Sequence, residues 1–222
     1  MSENTPAAPS ARRRATHDRL LEAAIAVFAE AGIQGASVEA ICSRAGFTRG
    51  AFYSNFESKE QLFLALLERQ FSQHAQELAQ KADELEPELR ACGDVFTPDQ
   101  AAKYVIEFLT PSQDHETWFA LEMELLLLAL RDPSSMPAHH GFKEGFYGVI
   151  AEPVERIVAA AGRRFVIPVQ RALPVLGSVY EDALRTAVLS GPETGAQLDE
   201  LGDRIAELLF ALTEETGRRL DS

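Results

Sequence analysis

Cysteine is scarce in this chain. Cys42 and Cys92 are its only two, which excludes a disulfide framework and any four-cysteine zinc site. Long apolar runs are missing as well. The run Leu125 to Leu130 falls far short of the roughly 18 residues that a membrane span requires. Arg12, Arg13 and Arg14 stand near the N-terminus with no apolar signal core behind them, so secretion is not expected and a reducing, cytoplasmic location is. Eleven prolines and fourteen glycines in 222 residues are too few for a collagen-like or disordered chain. Enzyme signatures are absent too: there is no Gly-x-Gly, no Walker lysine motif and no Gly-x-Ser-x-Gly. A di-iron bundle needs Glu-x-x-His twice, and none of the five histidines has glutamate three residues before it. His139-His140 reads as a loop pair. No catalytic residue, cofactor or metal ligand is therefore expected.

What is present is charge, unevenly spread. The net charge is −13, yet residues 1–60 hold seven basic and seven acidic side chains, so the remainder carries the whole excess. A chain that confines its acid to one part leaves the other free to approach a polyanion.

The apolar pattern is helical nearly throughout, which predicts an all-α protein. Residues 1–11 lack any apolar period and read as a disordered leader. Helices are expected over 17–31, with Gly32 as stop, over Val38 to Ala45 behind the Ser37 cap, and from Thr48 to about Phe56. Ser58 caps a long helix from Lys59 to about Glu86, ended by Pro87. Further helices are expected near 98–109, 113–131, 138–162, 168–190 and 196–219, with a kink or restart at Pro174. Phe165-Val166-Ile167 is the one strand candidate. The division expected is a helix-turn-helix domain over 12–58 and a helical effector-binding and dimerisation domain over 59–222.

The informative segment runs from Ser37 to Lys59. Two short helices joined by Gly46-Phe47 make a helix-turn-helix, whose second helix enters a major groove. Setting Phe52 inward places Phe56 beside it, and Gly50, Ala51 and Ser54 then point outward, flanked by Arg49, Tyr53 and Asn55. Arg49 can fork onto guanine and Asn55 onto adenine. A cation at Lys59 opposes the dipole of its own helix, and a phosphate partner would explain it. Removing such a contact would flatten the salt dependence of binding by about one unit. Ser37 and Thr48 cap helices whose N-termini suit phosphates. Arg12–Arg14 suit a basic arm.

The stretch GFTRGAFYSNFESKEQLF resembles the signature of the tetracycline-repressor (TetR) family. Gly46, Gly50, Tyr53, Phe56, Ser58, Lys59, Glu60 and Leu62 match it, and the likeness covers roughly residues 12–67. Ser54 stands where many members have a bulky aromatic and Asn55 where most have histidine, so base preference does not transfer there. The resemblance implies a one-component regulator, most often a repressor released from a palindromic operator by a small molecule, with Tyr53 on a phosphate. The alternative is a helical enzyme or binding module that reuses a helix-turn-helix bundle.

Two further sets follow. Seams at helical spacing run through Leu176, Tyr180, Ala183 and Ala187 and through Leu201, Ile205, Leu208 and Leu212. With the resemblance, they suggest a four-helix interface between two copies. Tyr104, Phe108, Trp118, Phe119, Phe142 and Phe146 put aromatics on three helices, and Glu122 adds a carboxylate on a helix otherwise nearly all apolar. Together they suggest a pocket for a lipophilic effector carrying a donor or a positive charge.

Overall fold

The computed structural model describes residues 11–92, 96–109, 115–132, 136–190 and 195–216. Among them the order is α1 (Ala11–Gly35), α2 (Val38–Ala45), α3 (Arg49–Tyr53), α4 (Lys59–Ala91), α5 (Pro98–Leu109), α6 (His115–Arg131) and α7 (Met136–Ala160). Then follow β1 (Arg163–Phe165), α8 (Val169–Ser190), α9 (Gly195–Leu212) and β2 (Thr213–Glu215). The all-α expectation holds, with one two-stranded ribbon added.

The chain divides into two compact units. One holds the residues up to Gln70 together with Ala120–His139; the other holds Phe71–Phe119 and the residues from His140 onward. In the first, Leu20, Leu21, Phe28, Ile33, Ile41, Phe52, Leu62, Phe63, Leu66 and Leu67 are buried. Phe28 meets Phe63 edge-on, with centroids 5.1 Å apart. In the second, Ala75, Leu78, Ile150, Ala151, Val154, Val158, Val169 and Leu173 form a cluster covered by Phe108, Phe146, Tyr147, Phe165 and Leu209.

α1 extends at both ends beyond its expected span. Arg12–Arg14 are helical rather than a free arm, and the helix resumes past Gly32 at φ +64° and ψ 170°. Glu124 of α6 explains the resumption. Its carboxylate accepts the Ile33 amide at 3.0 Å, capping a new helical turn whose first amides have no partner of their own. A Cβ on residue 32 would stand 2.9 Å from Glu124 Oε1.

Among the described residues, Pro87 lies in the interior of α4, Pro153 of α7 and Pro174 of α8. Pro87 does not end α4, and α8 neither breaks nor restarts at Pro174. α9 ends at Leu212 rather than near 219, because the chain turns into β2. Arg163 pairs with Glu215 and Phe165 with Thr213, antiparallel. Strand β1 thus lies two residues before the expected run, at a place with no β-branched residue to announce it. Arg163 is buried there. It donates to Thr213 Oγ1 at 2.8 Å and to the Thr213 carbonyl at 3.0 Å, and its guanidinium lies 3.9 Å from the Phe210 ring centroid.

Candidate nucleic-acid interface

The helix pair α2–α3 takes the expected form. Ser37 Oγ accepts the Ala40 amide at 3.1 Å and Thr48 Oγ1 the Ala51 amide at 3.4 Å, so both predicted caps are made. Gly46 ends α2 at φ +71°, the left-handed conformation that glycine takes most readily. Arg19 seals the turn, donating to the Ala45 carbonyl at 2.8 Å and lying 4.7 Å from the Phe47 ring centroid. Phe52 and Phe56 point inward together, buried, with centroids 5.9 Å apart. Ser37, Thr48, Arg49, Gly50, Tyr53 and Ser54 are exposed, and Ala51, Asn55 and Lys59 are half-buried.

Four side chains on or beside this surface are already engaged in the free protein. Arg49 Nη1 is 2.7 Å from Glu39 Oε1 across the turn, and its Nη2 is 3.5 Å from the Tyr53 hydroxyl. Asn55 is turned back rather than outward: its amide donates to the Ala51 carbonyl at 2.8 Å and to Ser54 Oγ at 3.2 Å. α3 stops at Tyr53, and Asn55 satisfies a carbonyl left open by that early end. Its amide is therefore spent on its own helix in the free protein, against the expected adenine fork. Lys59 likewise donates to the carbonyls of Gln34 at 3.2 Å and Ala36 at 2.9 Å. The C-terminal end of α1, where a helix dipole favours a cation, already accounts for this one. Arg13, expected on a free arm, donates to the Ser54 carbonyl at 3.0 Å.

The predicted effector residues divide. Phe142 stacks on Phe71 with centroids 5.8 Å apart, and Phe146 lies parallel to the His74 ring at 5.5 Å. Phe108 packs on the same buried cluster as Phe146. Phe71 and His74 of α4 were missed, although they continue the apolar face of Phe63 and Leu67 at helical spacing. Tyr104 is not part of this group. It lies 5.9 Å from Phe96, centroid to centroid, and 3.4 Å from Cys92 Sγ. The bond to Cys92 and then burial push its hydroxyl up to about 12. Phe119 is half-buried. Glu122 is buried, belongs to the first compact unit and is engaged within the protein, so it is not a vacant carboxylate. The side chain of Trp118 lies outside the described residues.

On the predicted interface helices, Leu201 and Ile205 are already buried by this chain alone. Gly202 between them lets α9 come close to α5, where a Cβ would stand 2.7 Å from Ile106 and 3.0 Å from the Ala102 carbonyl. Both residues therefore leave the set available to a second copy. Leu176, Tyr180, Ala183, Leu208 and Leu212 are half-buried. The side chain of Ala187 lies outside the described residues.

Comparison with known proteins bears first on the helix pair. Residues 20–66 match the family model described as bacterial regulatory proteins, tetR family. The HTH-type transcriptional repressor KstR2 of Mycolicibacterium smegmatis is 39% identical over 62 residues, which is 28% of each chain. The chain spans about half or less of the length of other curated relatives that it matches. Among solved structures, a TetR-family transcriptional regulator from Mesorhizobium loti superposes with TM-score 0.72 at 20% identity, over 92% of this chain and 99% of that one. The transcriptional regulator FadR of Bacillus subtilis, in complex with stearoyl-CoA, gives 0.59 at 17% identity, over 87% and 97%.

Proposed function

We propose that this chain, whose residues 20–66 belong to the tetR family of bacterial regulatory proteins, is a transcriptional regulator that binds operator DNA and is released by a small molecule. The observation that carries the DNA half is the capped pair α2–α3. Its apolar side is closed by Phe52 and Phe56, while Arg49 and Tyr53 stand exposed. A short helix with Gly50 and Ala51 on its outer face comes close to a groove floor, and Arg49 reads guanine there. The neutral charge balance of residues 1–60 permits that approach.

The dimer and effector rest on the second unit. Leu176, Tyr180, Ala183, Leu208 and Leu212, joined by exposed Val175, offer an apolar face on α8 and α9 to a second copy. Such an interface would cover about 2,000 Å² or more. It would set two recognition helices about 34 Å apart, one turn of DNA. Phe71, Phe108, Phe142 and Phe146 support a lipophilic effector, the class represented by the stearoyl-CoA bound to FadR.

Selection from a random duplex pool with the full chain tests this function. A palindromic operator should emerge, bound less tightly as salt rises and released by an apolar compound. Enrichment of no duplex at any salt concentration would refute the reading.

A further inference from the structure

Glu39 has no part in the reading above, yet it stands in the middle of the same surface. It is the second residue of α2, exposed, and it reaches across the turn to Arg49 at 2.7 Å, with both side chains more than half exposed. A carboxylate on a surface that meets phosphates weakens binding to every duplex. Fold stability gains only modestly from it: the ion pair is exposed, and a carboxylate in the first turn of α2 suits the helix dipole. The pair therefore calls for a role in selection.

Geometry supplies one. Arg49 is held from two sides, by Glu39 on α2 and by Tyr53 one turn along α3, whose ring centroid lies 5.8 Å from the guanidinium. Tyr53 in turn packs edge-on against buried Phe52, at 5.3 Å, so the clamp is anchored to the core. A guanidinium carries five donors in a rigid fork, and two partners leave the others free for a base edge. Its direction is set before DNA arrives, which lowers the ordering cost of docking.

We propose that Glu39 is a specificity-determining residue that acts through Arg49; this rests on the DNA-binding reading above. On a duplex with guanine in place, Arg49 contacts O6 and N7 while still covering the Glu39 charge. On a duplex without it, the base contact is lost, and the clamp holds the guanidinium back from the phosphate or other base edge that a free arginine would take instead. The acid thus denies wrong sites a substitute contact while leaving the right one intact, which widens the difference in affinity that selectivity rests on.

The test uses the full chain and the operator recovered from the random pool. Glu39→Gln, Arg49→Ala and the double variant are titrated against that operator, its single-base variants and a scrambled duplex. Glu39→Gln should melt like the parent and bind scrambled duplex several-fold more tightly. Its discrimination should fall on the order of tenfold at the base pair where Arg49→Ala also loses it. The double variant should discriminate no worse than Arg49→Ala alone. Equal tightening on every duplex with discrimination intact would reduce Glu39 to bare charge and overturn the proposal. Loss at a base pair that Arg49→Ala leaves untouched would overturn it too. A parent chain that enriches no duplex would instead remove the DNA reading itself, and the role with it.

Discussion

Lys59 carries its charge where its own helix disfavours one, and the carbonyls of Gln34, in the last turn of α1, and of Ala36, just beyond it, resolve the conflict. Replacing it with glutamine should therefore lower stability by about 1 kcal/mol, read by chemical denaturation. Its effect on the salt dependence of DNA binding should be smaller than the full unit expected of a phosphate contact. Cys42 is a second case. Its thiol is buried and donates to the Thr48 carbonyl at 3.6 Å. Burial first, and the nearby Glu39 carboxylate second, push its pKa up. The folded state thus disfavours the thiolate. Its contribution to stability is complete below the unfolded thiol's pKa and is lost as pH rises through the raised value. Alkylation of the native chain near neutral pH should label Cys92 well before Cys42, and equal rates would contradict this assignment. Sequence spacing sorted these residues correctly by face, as Phe52 and Phe56 show. It did not reveal the committed side chains, because the carbonyls that hold Lys59 and the Glu39 that holds Arg49 lie outside their own helices, and Asn55 depends on where α3 stops.

Element boundaries were legible wherever a cap marked them. Ser37, Thr48 and Gly46 each act at the expected position. They were illegible where distant packing overrules local preference. A proline inside a helix costs about 3 kcal/mol in isolation, yet α4, α7 and α8 continue through theirs. Gly32 read as a stop because its left-handed backbone does interrupt the helix, but Glu124, 91 residues beyond Ile33, restarts it. Gly32→Ala should cost about 1–3 kcal/mol, because positive φ with ψ near 170° is open almost to glycine alone. The close Glu124 carboxylate adds to that cost. A thermal melt unchanged by this substitution would exclude the strain. The ribbon was hidden for the same reason: Arg163-Arg164-Phe165 becomes a strand only because residues 213–215 pair with it.

At the scale of the whole molecule, seams at helical spacing cannot say which side of a helix meets its own chain. The structure separates them: Leu201 and Ile205 are buried within the chain, whereas Leu176 and Leu208 are half-buried and Val175, beside the first seam, is 45% exposed. Leu201→Ala should lower stability by about 2–5 kcal/mol, measured by denaturation, without changing which copies meet. Val175→Lys should leave the fold intact and shift sedimentation toward monomer. A Val175→Lys variant that sediments as the parent does would move the interface elsewhere. The division into units carries a consequence for synthesis. The helix-turn-helix unit needs Glu124 to cap the turn after Gly32. A ribosome adding roughly 5–20 residues per second makes Ile33 roughly 5–20 seconds before its cap. During that interval the nascent helix pair must wait in an incomplete form. A gene fragment encoding only the first 70 residues would leave it in that form permanently.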